Sequence, residues 1–160
     1  MSQSIPRVLA LYRKLARYSP GGWLFSRLIC WQAPYFGSIS PRITRLEPGL
    51  CEAYIDQRRR LQNHIGTVHA IALCNLAELT AGVVSEASLP TSMRWIPKGM
   101  EVKYLAKAKG RMLAQAKPAV PAVHAEQGYE LPIEVIVRDT AGSEVFSANI
   151  RMWATPRPSR

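Results

Sequence analysis

Residues 67–84 read TVHAIALCNLAELTAGVV, the most apolar helix-like stretch of this 160-residue chain. Apolar side chains occur on nearly every side at helical spacing, and a helix without a polar face is one that other elements enclose. Small residues in the stretch, such as Ala72, Ala77 and Gly82, would let a sheet pack closely against it. The stretch therefore predicts one long, buried helix at the centre of the fold.

Glu78 is the single acid of this stretch. An ionised carboxylate in an apolar interior costs several kcal/mol unless it is paired or solvated. Three interpretations are open: the side chain meets water, it pairs with a buried base, although the helix has no Lys or Arg, or it lines a substrate cavity. In a cavity, desolvation would raise its affinity for protons and suit it to general-base or nucleophilic work.

Strand patterns surround the helix. After the Pro48-Gly49 turn, Leu50 to Asp56 alternate with period two and predict a strand within 43–60. Further strands are predicted over 94–96 and 100–109, with a bulge or break at 97–99, and over 111–120, 130–139 and 143–155. A hairpin turn at Thr140-Ala141-Gly142 joins the last two. This order predicts an α+β fold, in which an antiparallel sheet with at least four strands in meander order wraps around the central helix.

The N-terminal part of the chain predicts helices. Apolar side chains recur at helical spacing over 5–18, opposite a basic face: Val8, Leu11, Tyr12, Leu15 and Tyr18. A second short helix is predicted over 23–31. We divide the chain into an N-terminal helical extension, 1–42, and a main domain, 43–156. The extension either packs on the main core or makes peripheral contact with a membrane, as a basic amphipathic helix on anionic lipid.

The composition is that of one globular domain, with 48% hydrophobic and 20% charged residues. The net charge of +10 favours an anionic partner, which is a nucleic acid, an acidic membrane surface or a phosphate-bearing small molecule. Three scattered cysteines without CxxC spacing indicate neither a zinc site nor a disulfide framework, and a cytoplasmic location is expected. Basic residues interrupt the N-terminal apolar residues, so no signal peptide is predicted.

The spacing of His69 and Glu78 bears on assembly. Nine residues span two and a half helical turns, about 13 Å of rise, and place the two side chains on opposite faces. One helix cannot bring both to one substrate atom, whereas two antiparallel copies in a homodimer can. The helix start also presents free backbone N–H groups and the positive end of the helix dipole, which suit a developing oxyanion.

The order of elements and the pattern Asn63-x5-His69-x8-Glu78 resemble the hot-dog-fold acyl-CoA thioesterases, in the phenylacetate-pathway and hydroxybenzoyl-CoA thioesterase branch. Within that branch, the chain is most similar to a family of uncharacterised thioesterase-like bacterial proteins. The resemblance covers about residues 45–155. It implies a hot-dog fold and hydrolysis of an acyl-CoA substrate at a site shared between subunits of a homodimer or a dimer of dimers. It implies no metal, and no cofactor beyond the coenzyme A moiety of the substrate.

The same resemblance implies roles for four residues. Glu78 would be the general base or nucleophile, and the backbone N–H of Ala70 would polarise the thioester carbonyl. Asn63 would orient water or the carboxylate, and His69 would shape the helix start. The chain departs from the pattern in two ways. Ala70 and Ile71 replace the two glycines that follow the histidine in relatives, and Pro97 stands near a position where some relatives place a hydroxyl residue. An acyl-CoA or fatty-acyl binding protein without hydrolytic activity is therefore the alternative function.

Basic residues indicate where coenzyme A phosphates would bind. They are concentrated on the first long strand and its successor: Lys98, Lys103, Lys107, Lys109, Arg111 and Lys117. Lys103, Lys107 and Lys109 share one parity and hence one face of a strand, and together with Arg111 they are the predicted phosphate contacts. Arg58-Arg59-Arg60 is an alternative, and a solvated basic face is the non-functional interpretation. Nucleic-acid binding is not expected, because no RNP-like sequence, zinc spacing or recognition helix is found.

Overall fold

The computed structural model describes residues 5–158 of the chain. The helices and strands of this range are α1 (Arg7–Leu15), α2 (Gly21–Gln32), β1 (Arg42–Glu47), β2 (Leu50–Ile55), α3 (Ala70–Ser88), β3 (Met93–Tyr104), β4 (Met112–Pro118), β5 (Tyr129–Arg138) and β6 (Glu144–Pro156). Two short 3-10 helices, Pro34–Ile39 and Arg59–Leu61, lie in the connections.

The six strands form one antiparallel sheet in the order β1-β2-β4-β5-β6-β3, which packs around α3. The predicted α+β architecture is thus confirmed. The predicted meander holds for β4, β5 and β6 but is wrong for β3, which pairs with β6 at the far edge. The reason lies in the connection after β3. It crosses the start of α3, where the carbonyl oxygen of Ala108 accepts the N–H of Val68 at 2.8 Å, and reaches β4 beside β2.

Most strand predictions hold with shifted ends. The strand predicted within 43–60 is a hairpin of β1 and β2, turning at Gly49 with φ +82°. β3 is one continuous strand with the expected bulge between Pro97 and Gly99. It ends at Tyr104, so residues 105–109, predicted as strand, form a loop. The predicted hairpin between β5 and β6 is confirmed, and Gly142 has φ +87° there.

Helix α3 runs from Ala70 to Ser88 instead of over 67–84. Val68 is held outside the helix by its hydrogen bond to Ala108, and His69 caps the first turn. The buried hydroxyls of Thr80 and Ser85 donate to carbonyl oxygens one turn earlier, so their burial leaves no unpaired donor. By length and composition α3 could cross a membrane, but 72% of the apolar window is buried inside the protein.

One side of α3 is open, contrary to the prediction of a helix enclosed all round. Ile71 and Glu78 are exposed there and Cys74 is half-buried. The adjoining part of β3 is open as well: Met100 and Tyr104 pair with buried residues of β6, yet they are 37% and 53% exposed. The cause is that α3 lies mainly over β2, β4 and β5, which leaves the β3 edge uncovered.

The two N-terminal helices pack on the sheet and on α3. Phe25 of α2 is fully buried, the ring of Tyr12 meets it edge-on at 5.1 Å, and the hydroxyl of Ser26 accepts the N–H of Ile43 at 2.8 Å. The apolar face predicted for α1 is partly wrong, because Leu9 is the buried residue and Leu11 is exposed. Tyr18, also assigned to that face, lies beyond the end of α1 and is exposed. The boundary at residue 42 stays a prediction.

Candidate active site

The start of α3 presents an unpaired backbone donor. His69 is the N-cap residue: its Nδ1 accepts the N–H of Ile71 at 3.1 Å, and its carbonyl oxygen accepts the N–H of Ala72 at 2.9 Å. Nδ1 can accept only when it carries no proton. Among residues 5–158, none accepts a hydrogen bond from the N–H of Ala70, which is half-buried. A free N–H at a helix start carries partial positive charge and suits an anionic oxygen.

Asn63 organises the loop that leads to this helix start. Its Oδ1 accepts the backbone N–H groups of Ile65 and Thr67 at 3.2 and 3.0 Å, and its Nδ2 donates to Thr67 Oγ1 at 2.8 Å. The side chain is half-buried and most of its hydrogen-bonding capacity is used within the loop. One hydrogen of Nδ2 is left to orient a further group.

A groove of about 320 Å³ lies between the Asn63 loop, the start of α3 and the segment that follows β3. Its lining is mainly apolar, with Asn63, Thr67, Tyr104 and Lys107 as the polar residues: Asn63, Ile65, Thr67, Val68, Ala70, Leu73, Tyr104, Leu105, Ala106, Lys107 and Ala108. The structure therefore brings together three of the predicted site residues, Asn63, Ala70 and Lys107. His69 and Glu78 are not part of the lining.

Glu78 lies farther along the open side of α3 and is exposed. Of the three interpretations of its carboxylate, contact with water is the one that a single chain shows. Asn75, one turn before it, is 7% exposed, and its Nδ2 donates to Ser38 Oγ at 3.1 Å. The Oδ1 of Asn75 is buried and accepts no hydrogen bond from any residue in 5–158. A buried carbonyl oxygen that accepts no hydrogen bond lowers the stability of the fold. The Oδ1 of Asn75 is therefore able to accept a hydrogen bond from a further group.

The predicted phosphate contacts do not lie on one strand face. Lys103 is on β3, whereas Lys107 and Lys109 lie in the loop after it, so the argument from strand parity is wrong. Arg111 donates to both carboxylate oxygens of Asp56, at 2.7 and 3.3 Å, and stacks on the Tyr54 ring at 4.0 Å. Its guanidinium is exposed but is largely engaged by these contacts within the chain.

The loop lysines and Arg58-Arg59-Arg60, treated above as alternatives, are neighbours. Gln57 ties the two segments together: its N–H donates to the carbonyl oxygen of Gly110 at 3.2 Å, and its Oε1 accepts the N–H of Gly110 at 2.7 Å. We call the five exposed cations Arg58, Arg59, Arg60, Lys107 and Lys109 the basic rim. The basic rim stands beside the groove, because Lys107 belongs to both.

The pair Tyr104 and Cys74 was missed in the sequence. The Tyr104 hydroxyl and Cys74 Sγ are 3.4 Å apart, where β3 ends over the second turn of α3. Their hydrogen bond is the largest cause that raises the pKa of the Tyr104 hydroxyl above its ordinary value, and burial adds to it. No local signal could have revealed the pair, because the two residues belong to different elements. Cys74 thus lies on the open side of α3, in contact with the end of β3.

Comparison with known proteins places this geometry in context. Residues 21–154 match the family model described as Domain of unknown function (DUF4442). A solved structural-genomics protein, APC5556, is 42% identical to the chain with a TM-score of 0.80, and the likeness covers 92% of this chain and 99% of that protein. No curated protein matches the sequence.

Two solved thioesterases share the fold at lower identity. The thioesterase HI1161 from Haemophilus influenzae is 13% identical with a TM-score of 0.67, covering 76% of this chain and 82% of its own. A thioesterase family protein from Silicibacter pomeroyi is 17% identical with a TM-score of 0.69, covering 85% of this chain and 100% of its own. At such identities the likeness establishes a common fold.

Proposed function

The chain belongs to the DUF4442 family and has the hot-dog fold of the thioesterases it resembles, and on this premise we propose that it hydrolyses an acyl-CoA thioester at a site shared between two copies. The observation that carries the proposal is the free N–H of Ala70 at the capped start of α3, beside a largely apolar groove. Such a donor suits the oxyanion that forms when a thioester carbonyl is attacked.

The reaction needs a base as well as an oxyanion donor. In our proposal the Glu78 carboxylate takes a proton from water as the water oxygen bonds to the carbonyl carbon. The carbonyl oxygen becomes an oxyanion and is stabilised by the Ala70 N–H. Collapse of this intermediate breaks the carbon–sulfur bond, and the leaving coenzyme A thiolate takes the proton from Glu78, which restores the carboxylate. Direct attack by Glu78, with a mixed anhydride that water then hydrolyses, is the covalent variant of the same chemistry.

Two copies are required because Ala70 and Glu78 lie far apart on α3. Ala70 and Glu78 are separated by about 12 Å of helix rise, too far for both to contact one carbonyl group. Side-by-side antiparallel helices would place Ala70 of one copy near Glu78 of the other. The open side of α3 supports this arrangement, since its exposed Ile71 and half-buried Cys74 are apolar groups that a second copy would cover.

Strand β3 offers the surface on which two copies would meet. It is a long edge strand, and an edge strand exposes backbone N–H and C=O groups that can pair with another strand. Its inward-facing Met100 and Tyr104 are only partly covered within one chain. Pairing of two β3 strands would extend the sheet across both copies and bring their α3 helices together on the same face.

The basic rim suits the phosphates of coenzyme A. Its five cations lie on two loops tied together by Gln57, and Lys107 lines the groove. A phosphate group there would receive charge-assisted hydrogen bonds. The acyl chain would then enter the apolar groove with its thioester close to the start of α3.

The alternative proposal is a protein that binds an acyl-CoA without hydrolysing it. It is favoured by Ala70 and Ile71, whose side chains stand at the helix start where the resemblance implies two glycines. A screen of the purified protein against short, long and aromatic acyl-CoAs separates the two, with thiol release as one readout and calorimetric binding as the other. Hydrolysis of one class at many turnovers per site supports the enzyme. Saturable binding without thiol release supports the binding protein, and neither result with any class contradicts both.

A further inference from the structure

The N-terminal part of the chain is strongly cationic. The first acid of the sequence is Glu47, and every charge before it is positive: Arg7, Arg13, Lys14, Arg17, Arg27, Arg42 and Arg45. Arg45 pairs with Glu47 at 3.0 Å, and Arg42 packs over the ring of Trp23 at 5.6 Å. Within residues 5–158, no carboxylate forms an ion pair with the other five, all of which are exposed.

Helix α2 in this cationic region is apolar on its outer side as well as its inner side. Phe25 and Ser26 face the core and are almost fully buried. On the outside, Leu24, Leu28 and Trp31 follow one another at the spacing of a single helix face and are 40%, 37% and 82% exposed. Tyr35, just after the helix, is 72% exposed, and Trp23 is 45% exposed. We call these five side chains the aromatic stripe.

A helix on the surface of a soluble protein normally has polar side chains on its outer side. The exposed aromatic stripe therefore indicates a surface that a binding partner covers. A second copy of the same surface is a poor occupant. In a twofold-symmetric contact each copy would bring its cations against the same cations of the other, and α1 and α2 contain no acid to offset them. The occupant that fits is therefore anionic on its surface and apolar beneath it.

We propose that α2 docks this protein on the surface of an anionic phospholipid bilayer, with the aromatic stripe inserted at the level of the headgroups and acyl chains. Trp and Tyr favour that interface because their rings are apolar with one polar atom. The exposed Arg and Lys residues of α1 and α2 would meet lipid phosphates, and each basic residue near such a surface adds to the binding. The inference does not depend on the proposed hydrolysis.

The stripe is also connected to α3. The 3-10 helix Pro34–Ile39 contains Tyr35 of the stripe and Ser38, whose hydroxyl accepts a hydrogen bond from Asn75 on α3. Membrane docking would thus hold the open side of α3 at a fixed position relative to the lipid surface. A substrate with a long acyl chain would be delivered close to the site.

Flotation with lipid vesicles tests the proposal. The wild-type protein is expected to float with vesicles of phosphatidylcholine and phosphatidylglycerol, to stay behind with phosphatidylcholine alone, and to be released by salt. Trp31→Ser and Arg27→Glu should each weaken binding by roughly tenfold. Matched controls are Val123→Ser, which removes an exposed apolar side chain elsewhere, and Lys117→Glu, which makes the same charge change on β4; both should bind as wild type.

Three outcomes would overturn the proposal. The first is that the wild-type protein does not bind the anionic vesicles. The second is equal weakening by Lys117→Glu and Arg27→Glu, which would mean that attraction follows net charge and not this surface. The third is a change of molecular mass in Trp31→Ser by light scattering, which would make the stripe an interface between copies. Circular dichroism melts show whether each variant is folded. We expect Trp31→Ser and Arg27→Glu to fold, because both side chains are exposed.

Discussion

Ala70 and Glu78 both lie on the side of α3 that the sheet leaves open, separated by about 12 Å along the helix axis. Ala70 lines the groove and supplies a free backbone donor, whereas Glu78 lies outside the groove and is solvated. In one chain the two groups form no common site. In the proposed enzyme, a second chain brings the two groups together.

Glu78→Gln keeps the shape of the side chain and removes the base. Turnover of the accepted acyl-CoA should fall by at least about a hundredfold, a usual loss for an acid–base group. The free energy of unfolding of the single chain should change by less than about 0.5 kcal/mol, because the carboxylate is exposed and forms no ion pair with any residue of 5–158. Glu134→Gln on β5, also exposed, is the control and should retain full activity. Unchanged turnover in Glu78→Gln would exclude the catalytic role.

Ala70→Pro deletes the proposed oxyanion donor with little disturbance of the helix. Proline is favoured at the first helical position, and the preceding residue, His69, already has the extended conformation (φ −64°, ψ 138°) that proline requires. Thioester hydrolysis should fall on the order of a hundredfold while circular dichroism stays native. Ala70→Gly keeps the backbone N–H and removes the methyl group beside it, which leaves more room for the thioester carbonyl. The activity of this variant should therefore match or exceed that of the wild type. An active Ala70→Pro variant would refute the role of this N–H.

Met100→Glu places a charge on the open inner side of β3, where the second copy is expected. The side chain is 37% exposed, so the single chain should still fold, but the buried charge should disfavour the dimer. Light scattering should show half the wild-type mass, and activity should be lost with the dimer. Leu113→Glu on β4, with 41% exposure, is the matched control and should remain dimeric and active. A wild-type protein that is monomeric at micromolar concentration would contradict the shared site.

Lys107→Glu tests the basic rim. Because Lys107 is exposed and lines the groove, reversing its charge should raise KM for the acyl-CoA several-fold with little change in kcat. The effect should shrink as salt is added, since the interaction is between exposed charges. Lys117→Glu changes the net charge equally and should leave KM unaltered. Equal KM values for the two variants would show that the basic rim is a solvated surface that does not bind the coenzyme A phosphates.

Asn63→Ala tests whether the loop before α3 shapes the site. The substitution removes two bonds from backbone amides and one to Thr67. We expect a stability loss of about 1–2 kcal/mol from the unpaired groups, and lower kcat because the groove wall is no longer held. Gln62→Ala, an exposed neighbour, should change neither. Full activity in Asn63→Ala would show that the loop is not required for catalysis.

The sequence was informative wherever the pattern is local. The alternation around Cys51, Ala53 and Ile55 predicts β2 because one face of that strand is buried and the other is not. The long apolar run predicts α3 for a similar reason. Its first residue was misplaced because a contact between Val68 and Ala108 decides where the helix can begin, and no residue near position 68 reports that contact.

Two errors have a different origin. The parity of the lysines continues after Tyr104 and predicts a strand face for them, but parity cannot show that the ladder with β6 has ended. Glu78 was placed in a helix expected to be covered all round. An apolar helix surface has the same composition whether its own sheet or another chain covers it, so sequence patterning could not distinguish the two cases.

The position of β3 at the far edge of the sheet has a consequence for biosynthesis. Its hydrogen-bond partner within the chain is β6, the last strand to be made. While the ribosome adds β4 and β5, β3 therefore has neither a strand to pair with nor a helix that covers it fully. Such a segment is open to wrong pairing during folding. Chaperone dependence in vivo, and aggregation of nascent chains stalled before β6, are expected to trace to β3.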